Sequence, residues 1–303
     1  MVVPTLGRAE RLHGCLGALA RLDYPSDLLE VLVVNDGGGQ KIEVAASDWA
    51  GRLQLTVLST SGAGASAARN AGAERASGRF IAFTDDDCEP ERGWLGALQP
   101  ELEANPGAAV GGTMVNGATG RCAVGSQAVF DAAHAYFNRD PTAPIFFATN
   151  NLTFPADGFR AVGGFDERFG FAEDRELCEQ WLRSDRRFVH APEAVVRHMR
   201  QLTPITFWRQ HLCYGRGAWT LYRTRDERDG GRFAVDPSFY AELVRQVRRK
   251  REGAGRPSVA ALAAISQIAY AAGFASEALR RQRAVRARPR LRPSRRRAPS
   301  DCA

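Results

Sequence analysis

The chain has 303 residues, 44% of them hydrophobic and 25% charged, which is ample for the core of one large domain or two ordinary ones. Its net charge of +7 does not make the body a nucleic-acid binder, because ten arginines and no acid lie between Arg280 and Arg297; without that +10 the rest stands at −3. Six scattered cysteines with no Cys-x-x-Cys pair indicate neither a zinc site nor a disulfide framework, and point to reduced thiols in a cytosolic compartment.

In chain order, Val2-Val3 is a strand stub. No basic region followed by an apolar stretch precedes it, so the N-terminus reads as a first core strand cut short, not as a signal peptide. Arg8 to Leu22 has helical apolar spacing through Leu12, Leu16 and Leu19. Val31 to Val34 is a continuous apolar strand that runs into Asn35-Asp36-Gly37-Gly38-Gly39. Leu53 to Leu58 predicts a strand, Gly62 to Ala76 a helix of small residues, and Arg79 to Thr84 a buried strand. Alternation of helices with fully apolar strands predicts a parallel sheet covered on both faces.

From Pro106 the pattern changes. Ala108 to Gly112 reads as a strand, and Ile145 to Ala148 leads into Thr149-Asn150-Asn151. A glycine corner follows at Val162-Gly163-Gly164-Phe165-Asp166, then a helix over Ala172 to Ser184 that opens with Glu173-Asp174. Phe188 to His190 and Ala194 to Val196 read as two short strands, and Pro204 starts a helix carrying Phe207, Trp208, Tyr214 and Trp219. Residues 225–256 are charged and helical in part. Ser258 to Ser276 carries no charge and sits near the lower length limit of a spanning helix. Its alanines and Gln267 favour a buried or interfacial helix, and the arginines after it suit an anionic lipid surface or a solvated disordered end.

The strongest chemical signal is Asp85-Asp86-Asp87 at the end of the Arg79 to Thr84 strand. Ligands of α/β proteins bind at the carboxyl edge of the sheet. Crowded carboxylates there suit Mg²⁺ or Mn²⁺, which take hard oxygen ligands and share them with phosphate. Pro90 and Glu91 also permit a helix N-cap reading, but one aspartate would satisfy a cap.

Five stretches occur in order: Val3-Pro4-Thr5, Val34-Asn35-Asp36-Gly37, Ala68-Arg69-Asn70-Ala71-Gly72, Phe83-Thr84-Asp85-Asp86-Asp87, and Val162 to Asp166 with Glu173-Asp174. Together they resemble the family 2 glycosyltransferases of the GT-A type, over roughly residues 1–225. The resemblance implies a Rossmann-like α/β fold with a mainly parallel central sheet, and transfer of a sugar from a nucleotide-diphosphate donor with inversion at the anomeric carbon. It implies Asp87 as metal ligand and Asp85 on the ribose or the metal, with Asp86 between them either at the donor or pointing into structure. Asp36 would read the base beside Pro4 and Thr5. Arg69 would reach phosphate or orient the acids, and pairing with one of them is the structural alternative. Asp174 would be the general base, with Glu173 positioning the acceptor. His198 would lie near the metal or diphosphate, or be structural. Asn151 and Gly164 would shape the acceptor side. Trp208, Tyr214 and Trp219 would offer an acceptor platform or a membrane-facing face, with core packing the commoner role of aromatics at helical spacing. The stretch Gln210 to Tyr214 departs from the Gln-x-x-Arg-Trp motif of membrane-embedded relatives, which speaks against processive polysaccharide synthesis.

The resulting expectation is a GT-A domain over 1–225, with a donor half to about residue 112 and an acceptor half after it. A helical extension follows over 226–279, in which 258–276 is either a buried helix or one associated with a membrane, and a disordered arginine tail over 280–303. The expected partners are a nucleotide-sugar donor, a glycan or lipid-linked acceptor and an anionic membrane at the cytoplasmic face, with no nucleic acid. A catalytically inactive nucleotide-sugar-binding or partner-binding scaffold is the alternative from another class. A sugar-phosphate nucleotidyltransferase would carry a basic glycine-rich loop after the first strand, and Leu6-Gly7-Arg8 stands there instead.

Overall fold

The computed structural model describes residues 1–230, 235–249 and 256–287. Strand β1 (Val2–Thr5), helix α1 (Ala9–Leu19), β2 (Glu30–Asp36), α2 (Gln40–Ser47), β3 (Gln54–Thr60), α3 (Ala65–Arg75) and β4 (Phe80–Phe83) alternate, all but α2 as the sequence predicts. Then come β5 (Cys88–Pro90), α4 (Trp94–Ala104), β6 (Ala109–Asn116), α5 (Arg121–Phe137), β7 (Leu152–Pro155), α6 (Ala156–Ala161), α7 (Glu173–Arg183) and β8 (Phe188–His198). Three helices follow: α8 (Pro204–Asp229), α9 (Pro237–Arg249) and α10 (Arg256–Ala287). One eight-stranded sheet has the order β3-β2-β1-β4-β7-β6-β8-β5. β1, β2, β3 and β4 are parallel to their neighbours among themselves, and β6 is parallel to β8. β7 runs antiparallel between β4 and β6, and β5 antiparallel to β8.

The period-2 alternation of a strand sorts the core into two layers. Val3, Val31 and Val33 face α1, α2 and α4 through Leu12, Leu16, Ile42 and Trp94. Val2, Leu32 and Val34 face the other way, onto Ala68, Phe159, Phe165 and Trp181. Each fully buried side chain of this size stabilises by about 1.5–3 kcal/mol relative to exposure. Apolar residues on both faces explain why these strands read as continuous apolar runs.

Two readings are corrected. No helix starts at Pro90; Cys88–Pro90 is a strand that pairs with Val196 to His198. The two short strands after Arg187 are one strand, broken in register opposite Gly112/Thr113. The sheet is mainly parallel, as expected, with β7 returning antiparallel between β4 and β6.

Helix α8 begins with Thr203 as N-cap, a reciprocal hydrogen-bond pair with Thr206, and Pro204 in its first turn. Helix α10 lies against it with backbones nearly touching. A Cβ on Gly215 would stand 1.9 Å from the Tyr270 carbonyl oxygen, and one on Gly273 1.9 Å from that of Leu212. Gly215→Ala is therefore expected to destabilise the protein by about 1–3 kcal/mol, as overpacking against rigid backbone does. Urea unfolding checks this, and an unchanged midpoint would contradict the close crossing.

Two imidazoles tie this fold to pH. Burial, helped by neighbouring His190, pushes His134 of α5 down to about 4, and burial alone does the same to His211 of α8. Both are neutral in the native state, whereas an unfolded chain protonates them below about 6.5. The unfolded state then binds more protons, so stability falls as pH drops from about 6.5 toward about 4, by up to about 3 kcal/mol per group. Urea midpoints measured at pH 7 and pH 5 should differ accordingly, and His211→Phe should remove part of the difference.

Candidate active site

The strand order reverses between β1 and β4, and ligands of open α/β sheets bind in the crevice outside the carboxyl ends of strands at such a point. Thr5 ends β1, and Asp85-Asp86-Asp87 follow β4. The three acids point in three directions.

Asp86 turns inward and is fully buried. It accepts a hydrogen bond from Thr5 Oγ1 at 2.6 Å and one from Arg8 Nε at 3.0 Å, and Arg8 Nη2 lies 2.6 Å from its other oxygen. Burial, against Arg8 and Thr5, pushes its carboxyl up to about 6.

Asp87 faces β8. The pairing of Cys88 with His198 sets the His198 imidazole 3.4 Å from Asp87 Oδ1. Arg11 Nη1 lies 3.1 Å from Oδ2, and Arg8 Nη1 3.5 Å. Burial works to raise the Asp87 carboxyl, but His198, Arg8 and Arg200 outweigh it and hold it well below the usual carboxylate range. The ligand atoms of Asp87, Cys88 and His198 lie within 4.8 Å of one another. Burial pushes the Cys88 thiol well up, and a soft thiolate does not suit hard Mg²⁺ or Mn²⁺, which leaves Asp87 and His198 as the fitting donors. A carboxylate oxygen and an imidazole nitrogen suit Mn²⁺ or Mg²⁺ with diphosphate oxygens completing the shell.

Asp85 faces α3, where Arg69 Nη2 donates to its Oδ1 at 2.8 Å. The other arm of the same guanidinium, Nη1, donates to Glu173 Oε1 at 3.0 Å. Arg69 is 5% exposed, and Phe165 lies under its plane at 5.5 Å. Burial opposes its charge, but Asp85 and Glu173 overcome that and raise its pKa. Gly72 makes the placement possible. A Cβ there would stand 2.4 Å from Val2 Cγ1, so only glycine lets α3 press onto β1 and bring Arg69, one turn earlier, to the strand ends.

Helix α7 brings the remaining acids. Its first turn is Glu173-Asp174, entered through Ala172 in the left-handed region at φ 64°. A non-glycine residue held there marks strain that the surrounding structure must support. The support is visible: Ser66 Oγ donates to the Phe169 carbonyl at 3.0 Å, and Gly217 of α8 lets the Phe171 carbonyl approach closely. Burial, with Glu173 beside it, pushes the Asp174 carboxyl up to about 7, against Arg175 and Arg69. Such a group is matched to proton transfer near neutrality.

Residues 1–162, more than half of the chain, match the model of the family described as "Glycosyl transferase family 2". The chain belongs to glycosyl transferase family 2. Among characterised relatives it is 36% identical over 98 residues to Glycosyltransferase AglE of Haloferax volcanii, covering 31% of this chain and 32% of that protein. It is 30% identical over 208 residues to the Pre-mycofactocin glycosyltransferase of Mycobacterium tuberculosis, covering 65% of this chain and 42% of that protein. The chain thus spans less than half the length of these relatives. Its fold is similar to that of the mannosyltransferase PcManGT from Pyrobaculum calidifontis, with a TM-score of 0.61 at 20% identity over 94% of this chain and 79% of that one. The fold of this family 2 chain is therefore of the GT-A type, with C-terminal helices added.

Other expected site residues of the family 2 chain lie elsewhere or act at one remove. Asn151 is 1% exposed; its Nδ2 donates to the Thr113 and Ala194 carbonyls and its Oδ1 accepts from Trp94 Nε1, so it braces β6, β8 and α4 and does not face an acceptor. Gly164 is buried at φ +71°, where a Cβ would stand 2.6 Å from Asn70 Oδ1; it docks the corner on α3. Asn70 completes that dock by accepting from Phe165 N and donating to Phe165 O, both at 2.9 Å. Thr5 is spent on Asp86, and Pro4 is buried in β1 beside Val34, so with Asp86 they shape the strand ends without presenting side chains to a donor. Asp36 accepts from Thr60 Oγ1 at 2.6 Å and from the Ala63 and Gly64 amides at 3.0 and 2.8 Å, filling three of a carboxylate's roughly four acceptor positions. Trp208 is a partly exposed indole on α8.

Sequence reasoning missed Arg11 at this site and gave Arg8 no role in it. Arg8 and Arg11 follow the first strand at the amino end of α1, where the carboxyl edge of the sheet places them beside the acids. Desolvation, with Asp174 and Glu173 and against Arg200, pushes the Tyr214 phenol up to about 12, so its hydroxyl stays protonated, and the side chain is 41% exposed.

Proposed function

We propose that this chain is a metal-dependent, inverting glycosyltransferase that moves a sugar from a nucleotide-diphosphate donor to a hydroxyl of a glycan or lipid-linked acceptor at the cytoplasmic face of a membrane. The observation that carries the proposal is Arg69, whose two arms join Asp85 at the donor edge to Glu173 beside Asp174. One buried side chain thereby fixes the distance between a place for the diphosphate and a place for the base. Family membership and the GT-A fold support the reading, as does PcManGT, whose structure is a complex with GDP-Man and Mn²⁺.

In this reading Asp87 and His198 hold Mg²⁺ or Mn²⁺. When bound, that ion supplies electrostatic stabilisation of the departing diphosphate. Arg8 and Arg11, each about two-fifths exposed, bring positive charge to the same edge and can swing from Asp87 to phosphate oxygens. Asp85, held by Arg69, faces the donor. Asp36 serves the base pocket by fixing the loop from Thr60 to Gly64, with one acceptor position left for a base N–H. On the acceptor side Asp174 takes the hydroxyl proton as the oxygen attacks the anomeric carbon opposite the leaving group. Glu173 stays on Arg69 and orients the turn. Trp208 gives a sugar ring an apolar face to stack on.

The test is a thermal-shift screen of UDP-, GDP- and dTDP-sugars with and without Mn²⁺. A donor at 100 times its dissociation constant stabilises by about 2.7 kcal/mol. One nucleotide class should raise the melting point only with metal. No shift with any donor would favour a scaffold that has lost the donor site.

A further inference from the structure

We propose that the outward face of α10, with the arginine clusters at its two ends, docks on an anionic lipid bilayer and lies in the plane of its interface. Ser258–Gln282 is, among the described residues, the one helix long and apolar enough to cross a membrane. Its inward face is already committed to protein. Val259, Ala263, Ser266, Ala269 and Glu277 are buried, and Gly273 holds the helix backbone on α8. To span, α10 would have to leave α8 and carry Ser266, Gln267 and Glu277 into hydrocarbon.

The outward face is different. Ile265, Ile268 and Leu279 return at helical spacing with Ala261, Ala264 and Ala272 between them, all exposed and none charged. Ile268 is 61% and Leu279 55% exposed. A row of this kind, about 27 Å long from 261 to 279 at the helical rise, is an interaction surface and not scattered apolar exposure.

Charge identifies the occupant. At the carboxyl end Arg280 and Arg281 project from buried Glu277, which holds them at 2.6 and 3.1 Å. At the amino end α9 shares apolar clusters with α10 and α5: Leu243 with Ala263 and Ala132, and Val247 with Val259 and Ala128. The shared clusters bring the carboxyl-terminal half of α9, which carries the exposed Arg245, Arg248 and Arg249, near the amino end of α10; with Ala241 and Val244 these arginines line a concavity of about 510 Å³ on α9. Buried Glu242 fixes Arg245 at 2.8 Å. Apolar side chains between two cationic ends match the acyl boundary and phosphates of an anionic leaflet. A second copy fits poorly, because either alignment of two such faces sets arginines against arginines.

The proposal rests on the proposed function only for its purpose, which is to hold the enzyme beside a lipid-linked acceptor. Vesicle binding is measured without donor or acceptor, so either reading can fail alone. The experiment is sedimentation of the full chain with phosphatidylcholine vesicles and with vesicles containing 30% phosphatidylglycerol. Partitioning should be about tenfold or more stronger with the anionic vesicles and fall with salt. Ile265→Glu/Ile268→Glu should lower it about tenfold or more with an unchanged melting point, and Arg245→Glu/Arg248→Glu should do likewise. Equal binding to both vesicle types, or full binding by the isoleucine variant, would overturn the proposal. So would a concentration-dependent dimer that the isoleucine variant abolishes, since the occupant would then be a second copy.

Discussion

Replacement of Asp174 by asparagine is expected to lower kcat by about 10³-fold while leaving donor affinity unchanged, because general-base catalysis contributes about 10²–10⁴-fold. The pH profile provides a second signature. A base whose carboxyl is pushed up to about 7 is half protonated there, so the wild-type rate should rise with pH through about 7 and level above it. That rise should vanish in the variant. Stability should move the opposite way. The native carboxyl holds a proton that the unfolded chain releases near 3.8, so its contribution is full below that pH and is lost as pH rises through about 7. At pH 8 the wild type therefore carries a half-buried, partly uncompensated charge, and Asp174→Asn should melt at the same temperature or higher. Function at this position is kept against stability, as strained or destabilised active sites commonly are.

The second large effect is expected at Asp87. Asp87→Ala should abolish the response of donor binding to Mn²⁺ and cut activity by about 10²–10³-fold, the scale of losing one electrostatic contact to a transition-state anion. A chelator should reduce the wild type to the level of the variant and leave the variant unaffected. His198→Ala should be milder, because one carboxylate remains. Arg8 is partly exposed and keeps Asp86, so the Asp87 variant should fold normally; circular dichroism and the melting point check that.

The first half of the fold was legible because its strands leave strong local signals. The apolar runs ending at Thr5, Asp36 and Asp85 are strands buried on both faces, and their carboxyl ends meet at the reversal of strand order. Gly72 is readable too, since a helix of small residues after a loop invites close packing. The second half was less legible. Helix α5 starts at Gly120 with no side-chain cap, and β7 is four residues long, so neither leaves a local signal. Asn151 illustrates the limit. An asparagine in a loop before a strand looks like a binding residue, and only tertiary packing shows that Trp94 and two carbonyls consume it. Asp86 and Asp87 are adjacent and chemically identical in the sequence. The direction each faces depends on Arg8, which is distant in the chain, and on the pairing of β5 with β8. The arginine tail beyond residue 287 lies outside the described residues.

Calorimetric titration of the stabilising nucleotide sugar into the wild type, Asp174→Asn and Asp87→Ala, with Mn²⁺ present, tests the central claim most directly. The claim is that one half of the crevice holds the donor and the other supplies the base, with Arg69 between them. It predicts wild-type donor affinity in Asp174→Asn together with loss of turnover, and loss of metal-dependent affinity in Asp87→Ala. Equal loss of donor binding in both variants, or full metal-dependent binding in Asp87→Ala, would contradict it.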